Sequence, residues 1–181
     1  MTNTPIKRNI NLTWLSKEHH LGLLAIWKIN QGIKLGIDTE RIKKYIFFFW
    51  ENLLKHHFAE EEILLFNTSV DNKVSEAFVQ HDSIRKIIKK LQTRISHDLL
   101  PLQQLAEELE KHIRFEERIL FPYFEKILTA EELQSIGTRL EKCHEVTKDN
   151  YGDEFWLLPH AKKINLKSDP NSSEYKFAYS I

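Results

Sequence analysis

The sequence predicts an all-α fold: an antiparallel up-down four-helix bundle with a short fifth helix and an irregular C-terminal extension. Three observations predict it. Apolar residues recur at spacings of three and four along four long segments. Gly and Pro number only five each among 181 residues, too few for a turn-rich β protein. No strand alternation or hairpin signal appears across residues 1–145.

The first segment, about 10–33, places Leu12, Leu15, His19, Gly22, Ile26, Ile29 and Ile33 on one stripe. Gly32 and Gly36 punctuate its end, and Asp38 is an N-cap for the next helix. That helix, about 39–66, aligns Ile46, Trp50, Leu53, His57, Glu61 and Leu64. The third, about 72–95, aligns Val74, Phe78, His81, Ile84, Ile88, Leu91 and Ile95. The fourth follows Pro101, a residue suited to a first helical turn. Its stripe is Leu102, Leu105, Leu109, His112, Glu116, Ile119 and Tyr123, and Pro122 should bend or loosen its last turns. A capping box at Thr129 and Glu132 opens a shorter helix that runs to about Cys143. Short connections between long helices make neighbours antiparallel, which is the bundle arrangement. Residues 1–145 form this unit. Residues 146–181 lose periodicity and form an extension, packed on the bundle through Tyr151, Phe155 and Trp156 or trailing from it as a polar tail.

Acidic and basic residues balance at 26 each, which leaves no electrostatic footprint for nucleic acid or an anionic membrane. No apolar run is long enough to span a bilayer, and the N-terminus lacks the apolar core of a signal peptide. A single cysteine, Cys143, excludes an intrachain disulfide framework and fits a reducing compartment. A cytoplasmic location is expected. A homodimer through exposed aromatics is one arrangement the sequence allows.

The chemistry lies in a repeated pattern. "KHHFAEEEILLF" (55–66) and "KHIRFEERILF" (111–121) superpose with His57 on His112, Glu61 on Glu116, Glu62 on Glu117, Leu65 on Leu120 and Phe66 on Phe121. His and Glu four apart on a helix point the same way, one turn above the other. Both pairs sit on apolar stripes, as do His19 and His81 on the other two helices. Burying bare carboxylates among imidazoles costs several kcal/mol per group, and cations offset that cost. Four His and two Glu are too many for one tetrahedral zinc. They suit two octahedral ions that share bridging carboxylates and an oxo or hydroxo group, each keeping an open position. Such donors favour iron, and a redox-capable pair with an open position takes a diatomic molecule.

These residues resemble the hemerythrin-like (HHE cation-binding) family. The matching elements are "SKEHH" (16–20), "HFAEEEILLF" (57–66), "FVQHDSIRKII" (78–88) and "HIRFEERILFPYF" (112–124), in the family's order. The resemblance implies an antiparallel four-helix bundle with a non-haem di-iron centre. Its motifs place ligands at His57, Glu61, His112 and Glu116. The first-helix motif falls on Glu18–His19, which favours His19, with His20, on a more polar stripe, as the fallback. Two departures stand out. Oxygen-carrying members have a second histidine where this chain has Arg85, and an aspartate five after the fourth-helix histidine where this chain has Glu116 four after His112. Six protein ligands rather than seven resemble the bacterial branch, whose members are implicated in oxygen or nitric-oxide response and in repair of iron centres.

The leading expectation is a di-iron protein that binds oxygen or nitric oxide for sensing, scavenging or storage. The alternative is an iron-handling enzyme: ferroxidase, peroxide reduction or iron-centre repair. A structural bundle whose His/Glu layer holds zinc or no metal is the third reading. Glu60, Glu62 and Glu117 either face solvent or hold a ligand imidazole by its free N–H. Tyr45 and Tyr123 are phenols placed to approach the metals. His56 lies beside a ligand but off the stripe, and His97, Cys143–His144 and His160 carry no specific signal.

Overall fold

The computed structural model describes residues 7–93, 98–143 and 149–157. Every regular element is helical, and no strand forms among the described residues. Helix α1 (Thr13–Lys34) is entered through a 3₁₀ turn at Ile10–Leu12, where the Asn11 amide donates to the Asn9 side chain. Gly36 turns the chain with a φ of 63°, a left-handed value that glycine adopts without a Cβ clash. Gly32 does not end the helix as predicted. It lies inside α1, where an added Cβ would come within 2.6 Å of the Phe155 ring.

The second helical run has three parts: α2 (Thr39–Phe49), a π turn (Trp50–Leu54) and α3 (Lys55–Leu64). Asp38 caps it, accepting from the Glu40 amide at 3.0 Å. Helix α4 (Asn72–Thr93) follows a 3₁₀ turn at Phe66–Thr68. The fourth run is α5 (Leu100–Phe115), a second π turn (Glu116–Leu120) and α6 (Phe121–Ile127). Helix α7 (Ala130–Cys143) begins at the predicted capping box. There the Thr129 amide donates to Glu132 Oε2 at 2.8 Å and the Glu132 amide to Thr129 Oγ1 at 3.2 Å.

The π turn at Glu116–Leu120 changes which residues face inward. Pro122 carries no N–H, and the Phe121 N–H bonds the Glu116 carbonyl, five residues back. One extra residue in the turn shifts the buried face by one position. Ile119, expected inside, is 47 % exposed, whereas Leu120 and Phe121 are wholly buried. Phe78 departs from its stripe too: it lies at the rim with its ring edge on Phe66, and Ala77 takes the inner position.

Two apolar clusters sandwich a polar layer. One gathers Leu12 and Leu15 ahead of His19, Leu64 and Leu65 after Glu61, Val74 and Ala77 ahead of His81, and Leu120 and Phe124 after Glu116. The other takes the reverse sides, with Ile26, Leu54, Ile84 and Leu109. Gly22 lets α1 and α5 approach closely, since a Cβ there would stand 2.7 Å from Ile113 Cδ1.

The segment from Asp149 to Leu157 packs on α1 and α2. Asp149 Oδ2 accepts from Lys28 Nζ at 2.7 Å and from the Tyr45 hydroxyl at 2.6 Å. Arg41 pairs with Asp153, and Phe155 is buried against the core. The predicted polar tail, with His97, His144 and His160, lies outside the described residues. No helix among the described residues is long and apolar enough to cross a membrane.

Candidate metal centre

Each helical run carries one imidazole into the polar layer: His19 from α1, His57 from α3, His81 from α4 and His112 from α5. Glu61 joins from α3 and Glu116 from the second π turn. All six side chains are at most 2 % exposed. Glu61 Oε1 lies 3.3 Å from His57 Nε2 and 3.8 Å from His19 Nε2, and its Oε2 lies 3.4 Å from His81 Nε2. Glu116 Oε2 lies 3.1 Å from His19 Nε2 and 3.2 Å from His112 Nε2, with its Oε1 4.0 Å from His81 Nε2. Each carboxylate thus faces imidazoles from both halves of the layer. Two groups, His19–His57–Glu61–Glu116 and Glu61–His81–His112–Glu116, are able to hold a metal ion, and both carboxylates belong to both groups.

The other ring nitrogen of every imidazole is already engaged. His57 Nδ1 meets Glu18 Oε2 at 2.7 Å, His81 Nδ1 meets Glu62 Oε1 at 2.7 Å, His112 Nδ1 meets Gln80 Oε1 at 3.2 Å, and His19 Nδ1 meets Glu117 Oε1 at 2.7 Å. An Nδ1–H donated to an oxygen fixes the tautomer that leaves the Nε2 lone pair for a metal. These partners form a closed ring. Glu18 precedes His19 on α1 but supports α3; Glu62 follows Glu61 but supports α4. Gln80 precedes His81 but supports α5, and Glu117 follows Glu116 but returns to α1. Aromatic rings close the layer: Phe58 stacks on His81 with centroids 3.7 Å apart, and Phe121 lies nearly parallel to His19 at 5.4 Å.

Inside this ring most of the donor atoms are unsatisfied; the exception is His19 Nε2, which meets Glu116 Oε2 at 3.1 Å. His57 Nε2, His81 Nε2, His112 Nε2, both Glu61 oxygens and Glu116 Oε1 are buried without a hydrogen-bond partner. Such atoms normally find partners, because each buried unpaired polar group costs about 1–3 kcal/mol. Here they converge, and all are electron-pair donors suited to a cation. The residues fit a metal.

The electrostatics agree. Burial and the neighbouring Glu61 charge push the Glu116 carboxyl up to about 7. Glu61 goes the other way: burial raises it, but the imidazoles of His57, His81 and His19 hold it well below the usual carboxylate range. Burial lowers His19, yet hydrogen bonds to Glu116 and Glu117 outweigh this and push it up to about 10. Burial also lowers His81, and the facing Glu61 and Glu62 carboxylates carry it up to about 9. His57 is raised in the same manner. His112 is the exception: burial and the neighbouring His81 hold it well below its ordinary value, and its Nδ1 partner is a neutral amide. Glu117, against burial, is drawn down to about 2 by His19, Ser16 and Arg8. Metal binding would replace the protons that Glu116, His19, His57 and His81 favour.

The family model for the hemerythrin HHE cation binding domain matches residues 15–124. The chain belongs to the hemerythrin HHE family. No curated protein and no solved structure matches it.

All six residues singled out in this hemerythrin-family sequence come together in one layer. His20 is exposed on α1, so His19 alone reaches the layer from that helix, and His56 is exposed as well. Arg85, the departure noted in the sequence, stands one turn after His81 on α4. It donates to Glu62 Oε1 at 2.8 Å, so Glu62 is shared between Arg85 and His81. Glu62 and Glu117 hold imidazoles rather than facing solvent. The two phenols do not turn to the layer: the Tyr45 hydroxyl goes to Asp149, and that of Tyr123 pairs with Ser69 at 2.7 Å. Sequence reasoning missed Glu18 and Gln80 as supports. Their signal was position, since each is a polar residue immediately before a stripe histidine.

Proposed function

We propose that this chain is a non-haem di-iron protein that binds oxygen or nitric oxide for sensing, scavenging or storage. Its helices are read as an antiparallel four-helix bundle, supported by the alternation of sides on which the two apolar clusters flank the polar layer. His19, His57, His81 and His112 would hold a pair of iron ions, with Glu61 and Glu116 shared between them. When bound, the pair supplies redox chemistry and an open coordination position for a diatomic ligand. The observation that carries this reading is the convergence of orphaned Nε2 and carboxylate oxygens inside a ring of satisfied Nδ1 atoms.

The chain's own groups have distinct tasks. Glu18, Glu62, Gln80 and Glu117 orient the imidazoles and fix their tautomers. Phe58, Phe66 and Phe121 lie against these rings and exclude bulk water. A cytoplasmic setting belongs to the same reading.

Iron handling is the second reading, and Arg85 favours it. Committed to Glu62, Arg85 supplies no seventh ligand, which leaves more of the coordination sphere open than an oxygen carrier has. The test is elemental analysis of freshly purified protein together with His57→Ala and Glu116→Ala, then spectra of the reduced protein with oxygen or nitric oxide. Iron lost in both variants, and charge-transfer bands that respond to the gas, are the expected results. Zinc or no metal after anaerobic reconstitution overturns the di-iron reading. Turnover with excess ferrous iron or peroxide selects the second.

A further inference from the structure

The carbonyl of Glu117 has lost both donors a helix would give it. The α-helical donor, the Phe121 N–H, bonds Glu116 instead, and the next one along is Pro122, which has no N–H. The vacancy is filled from far along the chain. Arg8 Nη2 donates to the Glu117 carbonyl at 2.6 Å and to Glu117 Oε2 at 2.7 Å, while its Nη1 reaches Glu125 Oε1 at 3.1 Å. Its side chain is only 6 % exposed, and its guanidinium lies 5.0 Å from the centre of the Phe121 ring.

The segment bearing Arg8 is itself anchored. The Asn9 amide donates to Glu125 Oε1 at 2.8 Å, Leu12 is wholly buried beside Leu133, Ile136 and Leu140, and Asn11 packs against Gly137. The guanidinium therefore arrives in a fixed position and grips both ends of one residue. Glu117 offers Oε2 to Arg8 and Oε1 to His19 Nδ1. With its carbonyl and one carboxylate oxygen clamped, its other oxygen can meet the imidazole in one orientation only.

We propose that Arg8 is a positioning residue of the metal centre, which acts through Glu117 to set the orientation of His19. Arg8 lies ahead of the residues matched by the family model, so the HHE pattern does not include it. A lysine cannot reproduce the clamp, since a single ammonium lacks the planar fork that serves carbonyl, Oε2 and Glu125 together. The proposal rests on the metal-holding reading of the layer.

A double-mutant cycle tests it. Ferrous iron affinity is measured anaerobically against a chromogenic chelator for the unaltered protein, Arg8→Met, Glu117→Gln and the double variant, with helicity and melting of the metal-free forms alongside. Arg8→Met is expected to weaken iron binding about tenfold, the lower end of what losing an outer partner of a metal ligand costs. The double variant should bind no worse than Glu117→Gln, because Arg8 acts through that residue. Arg8→Lys should fall between, and it carries the cycle if Arg8→Met does not fold. Unchanged affinity in a folded Arg8 variant, or fully additive losses, overturns the proposal and leaves the metal reading intact. No iron binding by the unaltered protein overturns both.

Discussion

Glu18 and His19 are neighbours on α1, yet they serve opposite sides of one site. The His19 ring turns its Nε2 to Glu116 at 3.1 Å, while the Glu18 carboxylate takes Nδ1 of His57 at 2.7 Å. Consecutive helical positions differ by about 100°, so both residues can be buried only where the helix is wedged between two others. Glu18→Ala should therefore reach the centre without removing a ligand. The His57 Nδ1 then has no oxygen partner, and iron affinity should fall ~10–100-fold. Chelator competition checks this; Glu18→Gln, which keeps an acceptor oxygen, should recover most of the loss.

The metal-free protein should lose stability as pH rises. His19 and His81 are raised in the folded state to about 10 and about 9 from an ordinary 6.5. A group with a raised folded pKa contributes stability in full below its unfolded value, and that contribution is lost as pH climbs through the folded one. The melting temperature of the metal-free form should thus decline between about pH 6.5 and 10. Glu116, raised to about 7 from 4.5, adds a decline of the same sign beginning lower. With iron bound as proposed, the imidazoles would be neutral ligands, so the slope over this range should flatten or reverse. Calorimetry of both forms across the range decides it.

A second buried polar cluster lies away from the metal layer. Asp149 joins Lys28 and Tyr45, and Lys28 Nζ sits 3.8 Å from the centre of the Trp156 ring. Asp149→Ala leaves the 5 % exposed Lys28 without its carboxylate, and breaking a buried pair in this way costs about 3–5 kcal/mol. Iron content per folded chain should not change. Denaturant unfolding and elemental analysis of the same sample separate the two effects.

Much of the fold and of the candidate site was legible in the sequence, for reasons that particular residues make plain. His57/Glu61 and His112/Glu116 stood out because they break an apolar stripe twice with the same spacing, and burial of charge is too costly to be incidental. Gly36, Asp38 and the Thr129–Glu132 box marked ends because their local chemistry suits nothing else as well. Gln80 did not stand out, since its bond to His112 depends on how α4 packs against α5, and no periodicity along α4 encodes that. Arg8 was hidden for the same reason, more than a hundred positions from Glu117. Tyr45 misled because a buried phenol needs a partner, and the chain supplies it from Asp149 rather than from the metal layer.

The largest local misreading was the face of the fourth run after Glu116, and it yields a sharp test. A regular α period puts Ile119 inside and leaves Leu120 at the edge of the stripe. The π turn reverses this, with Ile119 at 47 % exposure and Leu120 at 0 % beside Leu65 and Phe124. Leu120→Ala should then cost ~2–5 kcal/mol through lost burial and a residual cavity. Ile119→Ala should cost under about 1 kcal/mol, as a substitution away from the packed core does. Chemical denaturation of the two variants reads the difference directly. If the order is reversed, the segment is a continuous α-helix. The Phe121 N–H would then return to the Glu117 carbonyl, and the need for Arg8 at that carbonyl would vanish with it.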